Sequence, residues 1–480
     1  MKSGCSRRDF VRFGTGALVS STMLSSLTGW QRALAASADT TGYKALVCVY
    51  LFGGNDGFNW FVPLTQAGYS VYAASRGNLA LPQTGTGAPL ALTGTGTTSV
   101  TASDGYQYGI HPGCTELWSL FNTGKLAVLC NVGTLVTPTT PAQIQAGSAQ
   151  LPPELFSHID QQVQWQTSVP NNPARYGWAG RVADLYASQG YTPNLALNID
   201  IGGANYLQQG QQTNMYVLSS FGGPTQSDLG APILDDTNPS SGFANGAARV
   251  QAATAILNAA SADPNLMVAQ YAAIQQRAAA KQGLVTSALN AAGPLATMFS
   301  SYADDNGLGL QLQEVARVIK AQSQLGDARQ IFFVSMIGFD THNDQLSVQG
   351  TLLPVLSKNL NTFWAALTEL GQTSNVTVFT ASDFGRTLGS NGSGADHAWG
   401  NHHVIMGGAV AGGQYYGQMP SLQIGGANDF GAGLGQMVPT TSTDQYAATL
   451  AAWFGVPVTS LTTLFPNLSN FASATLGFMG

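Results

Sequence analysis

Charge is what this sequence has least of. Asp, Glu, Lys and Arg make up 9% of its 480 residues, against about a quarter in an ordinary soluble domain. Gly (57 residues) and the neutral polar residues Ser, Thr, Asn and Gln take the place of surface charge. That composition suits an extracytoplasmic protein with many loops. No basic run is present to follow a phosphate backbone, so nucleic acid is excluded as a partner. No G-x-G-x-x-G follows a strand, which argues against a nicotinamide or flavin enzyme. No G-x-S-x-G elbow is present, which argues against a serine-hydrolase triad. Beyond the N-terminus no apolar run approaches a membrane span, so no permanent span is expected. Cysteine is scarce too, with Cys5, Cys48, Cys114 and Cys130 alone. Cys48 and Cys130 lie in apolar runs and read as buried small hydrophobes. A Cys114–Cys130 disulfide is left open.

Hydrophobic residues reach 44%, enough for a substantial core, and wholesale disorder is excluded. The N-terminus is an address. Ser6-Arg7-Arg8-Asp9-Phe10-Val11 is a twin-arginine motif, Phe13 to Leu27 is weakly hydrophobic, and Ala33-Leu34-Ala35 offers a cleavage site. Residues 1–35 therefore read as a leader, with the twin-arginine translocase as partner and a periplasmic or secreted destination. The leader carries five basic residues against Asp9, a net of +4, so the formal charge of -6 becomes -10 on its removal.

The rest reads as one α/β domain over 43–480, with insertions near 80–109 and 203–300. Apolar runs at Tyr43–Phe52, Lys125–Val132, Leu195–Ile201, Gln330–Ile337, Asn375–Thr380 and His403–Met406 predict strands. Helical spacing marks Thr115–Asn122, Ser157–Trp165, Ala179–Ser188, Leu310–Gln324 and Thr351–Leu370. Ala247–Ala291 predicts two helices broken near Asp263-Pro264. Residues 80–109 read as an excursion or hairpin, and 203–245 as a loop-rich cap. Continuous apolar strands alternating with helices predict a largely parallel central sheet covered on both faces.

The chemistry gathers at strand ends. The six histidines (His111, His158, His342, His397, His402 and His403) are read as lying after strands, in loops or at helix starts. Asp56, Asp340 and Asp383 each follow a strand. In a parallel sheet these positions share the carboxyl edge, where such folds place their sites. Aspartate and histidine together form a ligand set for zinc, manganese, magnesium or calcium. Asp340-Thr341-His342 is either a ligand pair or an Asx-turn beside a surface histidine. Asp383 is either a ligand or an N-cap. Arg386 is either an oxyanion clamp or half of a structural ion pair. Asp396 to His403 holds three histidines, of which His397 and one of His402 or His403 are the ligand candidates. Ser157 opens a helix and is either a nucleophile or an ordinary cap. His111 lines the site or caps a helix. Thr134, Thr137, Thr139 and Thr140 are alternative nucleophiles.

Taken in order, LFGGNDGFNWFVPL, His111-Pro112 with GKLAVLCNVGT, SHIDQQVQW, FDTH, SDFGRT and DHAWGNHHVIMGG resemble a family of twin-arginine-exported bacterial proteins, domain of unknown function 1501. The resemblance runs from about Tyr43 to about Gly417. That family is grouped with the alkaline phosphatase-like superfamily of phosphatases and sulfatases. The resemblance implies that Asp56 is the first metal-binding Asp and Ser157 the nucleophile. It implies that Asp340 and His342 form the Asp…His pair, Asp383 the next carboxylate and His397 the late histidine. Phe384 stands where a second histidine is common, and His158, His402 or His403 is left to supply that nitrogen. No C-x-P-x-R sulfatase signature is present. The implied enzyme is a hydrolase of phosphate or sulfate esters, on a small molecule or glycan, with two divalent ions about 4 Å apart. One ion would lie near Asp56 and Asp383, the other near Asp340, His342 and His397, with Arg386 on the ester oxygens. The rival is a non-catalytic envelope protein that keeps the fold and binds a glycan or a partner.

Overall fold

The computed structural model describes residues 37–96, 99–172, 176–218, 246–302, 304–431 and 433–480. The twin-arginine motif, its cleavage site and most of the 203–245 segment lie outside the described residues.

Twelve strands occur among the described residues. They are β1 (Lys44–Leu51), β2 (Phe61–Pro63), β3 (Leu90–Ala91), β4 (Tyr108–Ile110), β5 (Leu126–Gly133), β6 (Asn198–Asp200), β7 (Tyr216–Val217), β8 (Arg329–Met336), β9 (Val376–Ser382), β10 (Asn401–Gly407), β11 (Tyr415–Gly417) and β12 (Thr441–Ser442). The main sheet has the order β11-β5-β10-β9-β1-β8-β6-β7, with β12 also against β5. β1 pairs in parallel with β8 and β9, and β6 with β7 and β8. β10 is antiparallel to both its neighbours, β5 and β9, and is the one reversed strand in the described sheet. β2, β4 and β3 form a small antiparallel sheet within the 80–109 excursion and just before it.

Alternation along β1 explains why its sequence is apolar from Ala45 onward. Val47, Val49 and Leu51 join one core, with the helices Thr115–Asn122, Leu308–Lys320 and Gln345–Glu369. Leu46, Cys48 and Tyr50 join a second, with Trp178–Ser188 and Thr443–Phe454. A strand buried on both faces has few positions for a polar side chain, and those it has must find partners inside. The fold is therefore α/β, with a largely parallel central sheet covered on both faces, as the sequence pattern predicts. The two Ala-rich helices are Gly246–Ser261 and Leu266–Ala292, either side of Asp263-Pro264. The helix expected from Thr351 begins at Gln345 and carries Pro354 inside it.

Cys48, Cys114 and Cys130 are all free and buried, so no Cys114–Cys130 disulfide forms. The strand expected from His403 begins two residues earlier, at Asn401, so His402 as well as His403 lies buried within β10.

Topology positions the site. β1, β8 and β9 run together, so Gly53, Asp340 and Asp383, which follow them, emerge at one edge. β10 runs the other way, which brings its entry segment and His397 back to the same edge.

Candidate metal centre

Asp340 sits between three imidazoles. Its Oδ1 lies 3.3 Å from His342 Nε2 and 3.5 Å from His397 Nε2, and its Oδ2 lies 3.5 Å from His158 Nε2. One ligand atom each from His158, Asp340 and His397 fall within 4.8 Å of one another. His342 Nε2 is 2.8 Å from His397 Nε2. The cluster opens to solvent through Asp340, whose side chain is 49% exposed.

Each ring is held from behind. His158 Nδ1 is 2.7 Å from Asp383 Oδ2. His342 Nδ1 is 3.0 Å from Asp396 Oδ1. His397 Nδ1 is 2.7 Å from the Phe156 carbonyl. A carbonyl has no proton to give, so His397 Nδ1 must donate. Asp396 is held below the usual carboxylate range by the Asn391 hydrogen bond and by His342, so it too accepts. All three Nδ1–H groups therefore point outward, and in the neutral rings all three Nε2 lone pairs face Asp340. This is how a protein fixes the tautomer of metal-binding histidines. Burial lowers the pKa of His397, which favours the lone-pair form.

The support for His397 is itself under constraint. Phe156 has φ 73° and Glu154 φ 50°, a left-handed turn that residues with side chains adopt at a cost of roughly 1–3 kcal/mol. That turn aims the Phe156 carbonyl at His397. It also starts the helix His158–Thr167, whose first residue supplies the second imidazole.

The donor set fits a metal ion. Four ligands about 2.0–2.1 Å from zinc in a tetrahedron would be separated by about 3.3 Å. The Asp340 Oδ1 distances to His342 and His397 fall near that edge, His158 approaches Oδ2 at a similar distance, and the ligand atoms that all lie mutually close belong to His158, Asp340 and His397. Two neutral Nε2 atoms 2.8 Å apart present lone pair to lone pair, an arrangement satisfied only by a shared proton or a cation.

Other expected residues are placed elsewhere. Asp56 does not join the cluster. It caps the turn Gly57–Trp60, accepting from Phe58 N at 2.9 Å and Asn59 N at 3.2 Å, and its Oδ2 pairs with Arg76 and Gln345. Asp383 stands one layer back. Its Oδ2 accepts from His158, from Gln162 Nε2 at 2.9 Å and from Gly53 N at 3.2 Å, while its buried Oδ1 has no partner. Arg386 is fully buried and donates to the carbonyls of Gly53, Gly54, Phe339 and Ala395 and to Asp340 Oδ1, so it is not free to clamp an ester. Gly53 and Gly54 are required here. Their φ values are 114° and 84°, and a Cβ would strike the Asp340 backbone at one and the Phe384 ring at the other.

His402 and His403, adjacent in β10, point to opposite faces. His402 packs against Phe58 and Phe61 and accepts from Asn131 N at 3.1 Å. His403 lies against Trp165 and Tyr446. Burial lowers both to about 3. His111 is also buried, its pKa lowered to about 4, with Nδ1 accepting from Gly113 N. Thr134 is buried against Gln161 and Trp399, and Thr140 caps a short helix.

Ser157 is the residue before His158. Its hydroxyl makes no cap hydrogen bond and donates instead to Asp160 Oδ2 at 2.6 Å. Asp160 was not singled out from the sequence, although the Ser-x-x-Asp spacing marks a side-chain pair in a first helical turn. The roles of Phe156 and Gln162 leave no local sequence signal.

The model of the family described as "Protein of unknown function (DUF1501)" matches residues 43–431. The chain belongs to DUF1501. The match spans every member of the cluster described above. No functionally curated protein matches the sequence. Among solved structures, the chain is similar to the lipoteichoic acid synthase LtaP from Listeria monocytogenes, at 8% identity and TM-score 0.31 over 86% of this chain and 72% of that one. It is similar to a sulfatase from Pseudoalteromonas sp., at 12% identity and TM-score 0.31 over 87% and 72%. A putative sulfatase from Bacteroides thetaiotaomicron matches at 11% identity and TM-score 0.27 over 88% and 75%. Likeness this remote says nothing about chemistry. No helix among the described residues is long and apolar enough to cross a membrane.

Proposed function

We propose that this DUF1501 protein is an exported, metal-dependent hydrolase of phosphate or sulfate esters, with the alkaline phosphatase-like arrangement of site and sheet. The observation that carries the reading is the convergence of three Nε2 lone pairs on Asp340, each fixed by an acceptor behind its ring. His158, His342, His397 and Asp340 would hold a divalent ion, of which zinc suits the nitrogen-rich set best. Such an ion supplies Lewis acidity and lowers the pKa of a coordinated water or hydroxyl.

The chain's own residues do the rest. Ser157 is the proposed nucleophile, set beside His158 at the solvent-facing start of a helix. The Ser157 hydroxyl already donates to the Asp160 carboxylate, which gives its proton an acceptor as the oxygen attacks. Asp383 keeps the His158 ring in register, and Arg386 fixes Asp340. The leader residues and the low surface charge support a periplasmic or secreted location, with a small-molecule or glycan ester as substrate.

The test is a screen of the purified mature protein, metal-loaded and chelated, against p-nitrophenyl phosphate, bis(p-nitrophenyl) phosphate and p-nitrophenyl sulfate. The reading expects turnover of at least one ester that falls at least tenfold on chelation and in Ser157→Ala. Bound metal without turnover of any ester would favour the non-catalytic envelope protein instead.

A further inference from the structure

We infer that the centre takes a single divalent ion, because the Arg386 guanidinium fills the position of a second cation. The inference rests on the metal reading above and goes beyond it in fixing the number of ions. Arg386 has no exposed side-chain surface, yet its Nη2 lies 2.5 Å from Asp340 Oδ1. That same oxygen faces His342 and His397. The guanidinium and two of the imidazoles thus share one carboxylate oxygen.

The rest of Arg386 is surrounded by oxygen. Its Nε donates to Gly54 O at 2.9 Å, Nη1 to Ala395 O at 3.0 Å, and Nη2 to Phe339 O at 3.3 Å and to Gly53 O. Four carbonyls and a carboxylate, drawn from the loops after β1 and β8 and before β10, form the kind of cage that binds a hard cation. Here a side chain of the protein already satisfies it. A second divalent ion beside it would meet a permanent positive charge.

The carboxylates that a second ion needs are also withdrawn. Asp56 is committed to Arg76, Gln345 and two backbone amides. Asp383 has three donors on one oxygen, and only its buried Oδ1 is left, too little for a second ion. Arg386 is therefore a positioning residue. It touches no substrate, and it acts through Asp340.

Counting the ions tests this. The full mature protein is stripped with a chelator, refilled with excess zinc and desalted, and metal per chain is measured by mass spectrometry beside circular dichroism. Wild type is expected to hold one equivalent, and Asp56→Asn the same one equivalent. Arg386→Lys keeps the cation and the count at one. Arg386→Gln, where folded, frees the cage and raises the count towards two, a change that a merely structural arginine would not produce. If Arg386→Gln does not fold, wild type and Asp56→Asn decide. Two tightly held ions in wild type, or loss of the ion in folded Asp56→Asn, overturn the inference and leave the metal centre standing. No bound zinc in wild type overturns the metal centre itself.

Discussion

The Nε2 atoms of His342 and His397 lie 2.8 Å apart, with both Nδ1 atoms engaged elsewhere. Without an ion, the contact needs a shared proton, and an ion must displace it. Zinc binding should therefore be linked to release of whatever proton the pair shares. Calorimetric titration in buffers of different ionisation enthalpy checks this. A binding heat independent of buffer would contradict it.

Direct ligands and their supports should separate on substitution. Asp340→Ala and His158→Ala should abolish zinc retention after desalting. Asp383→Asn, which touches the ion only through His158, should weaken affinity roughly 10- to 100-fold and not abolish it. Competition with a chromophoric chelator distinguishes the two classes. Equal loss in all three variants would make Asp383 a ligand.

Gly53→Ala should damage the centre from behind. The added methyl meets the Asp340 backbone, and φ at 114° is unfavourable for alanine. A loss of roughly 2 kcal/mol or more is expected, because left-handed backbone strain and overpacking add. Thermal melts read it. Alanine at Gly350, exposed within the helix Gln345–Glu369 with nothing within 4 Å of a Cβ, is the control and should keep or slightly raise the melting temperature.

Acid sensitivity should come in part from His403. Burial lowers its pKa to about 3 in the folded chain, against 6.5 for an ordinary histidine. Between those values the unfolded chain binds a proton that the folded one does not, so stability is lost as pH falls from about 6.5 towards 3. Replacing His403 by Gln should flatten the stability–pH slope between pH 6 and 4 by about 1.4 kcal/mol per pH unit. Asp444 works in the opposite sense. Burial raises it to about 7, so its contribution falls as pH rises from about 3.8 to 7. Asp444→Asn should remove that decline. Denaturant titrations across pH 4–8 test both, and unchanged slopes would contradict them.

Much of the fold was legible because burial leaves a plain trace. β1 is apolar at all but its first position, and β8 and β9, buried at every position, keep apolar runs at their centres. The break at Asp263-Pro264 needed only proline chemistry. The direction of β10 had no trace, since an apolar strand reads alike both ways. His402 and His403 looked like ligands because they are close in sequence to His397, but one residue further into a strand reverses the face. Asp56 illustrates another limit. A strand-end aspartate reads the same whether it binds a metal or caps a turn, and what decides is Arg76, which packs onto it from the next helix. The convergence of Asp340, His342 and His397 followed from strand ends sharing an edge. The outward grip on each ring depends on Phe156, Asp383 and Asp396, and only tertiary structure shows it. The C-terminal helix Thr443–Phe454 was not read from the sequence, although Ser442 and Gln445 form a capping box at its start.

The most direct measurement is X-ray absorption at the zinc edge of the refilled, desalted wild-type protein. The account predicts three imidazole nitrogens and one carboxylate oxygen at about 2.0–2.1 Å, with the imidazole signal reduced by one ring in His158→Ala. A shell of oxygen alone, or one unchanged by that substitution, would contradict it.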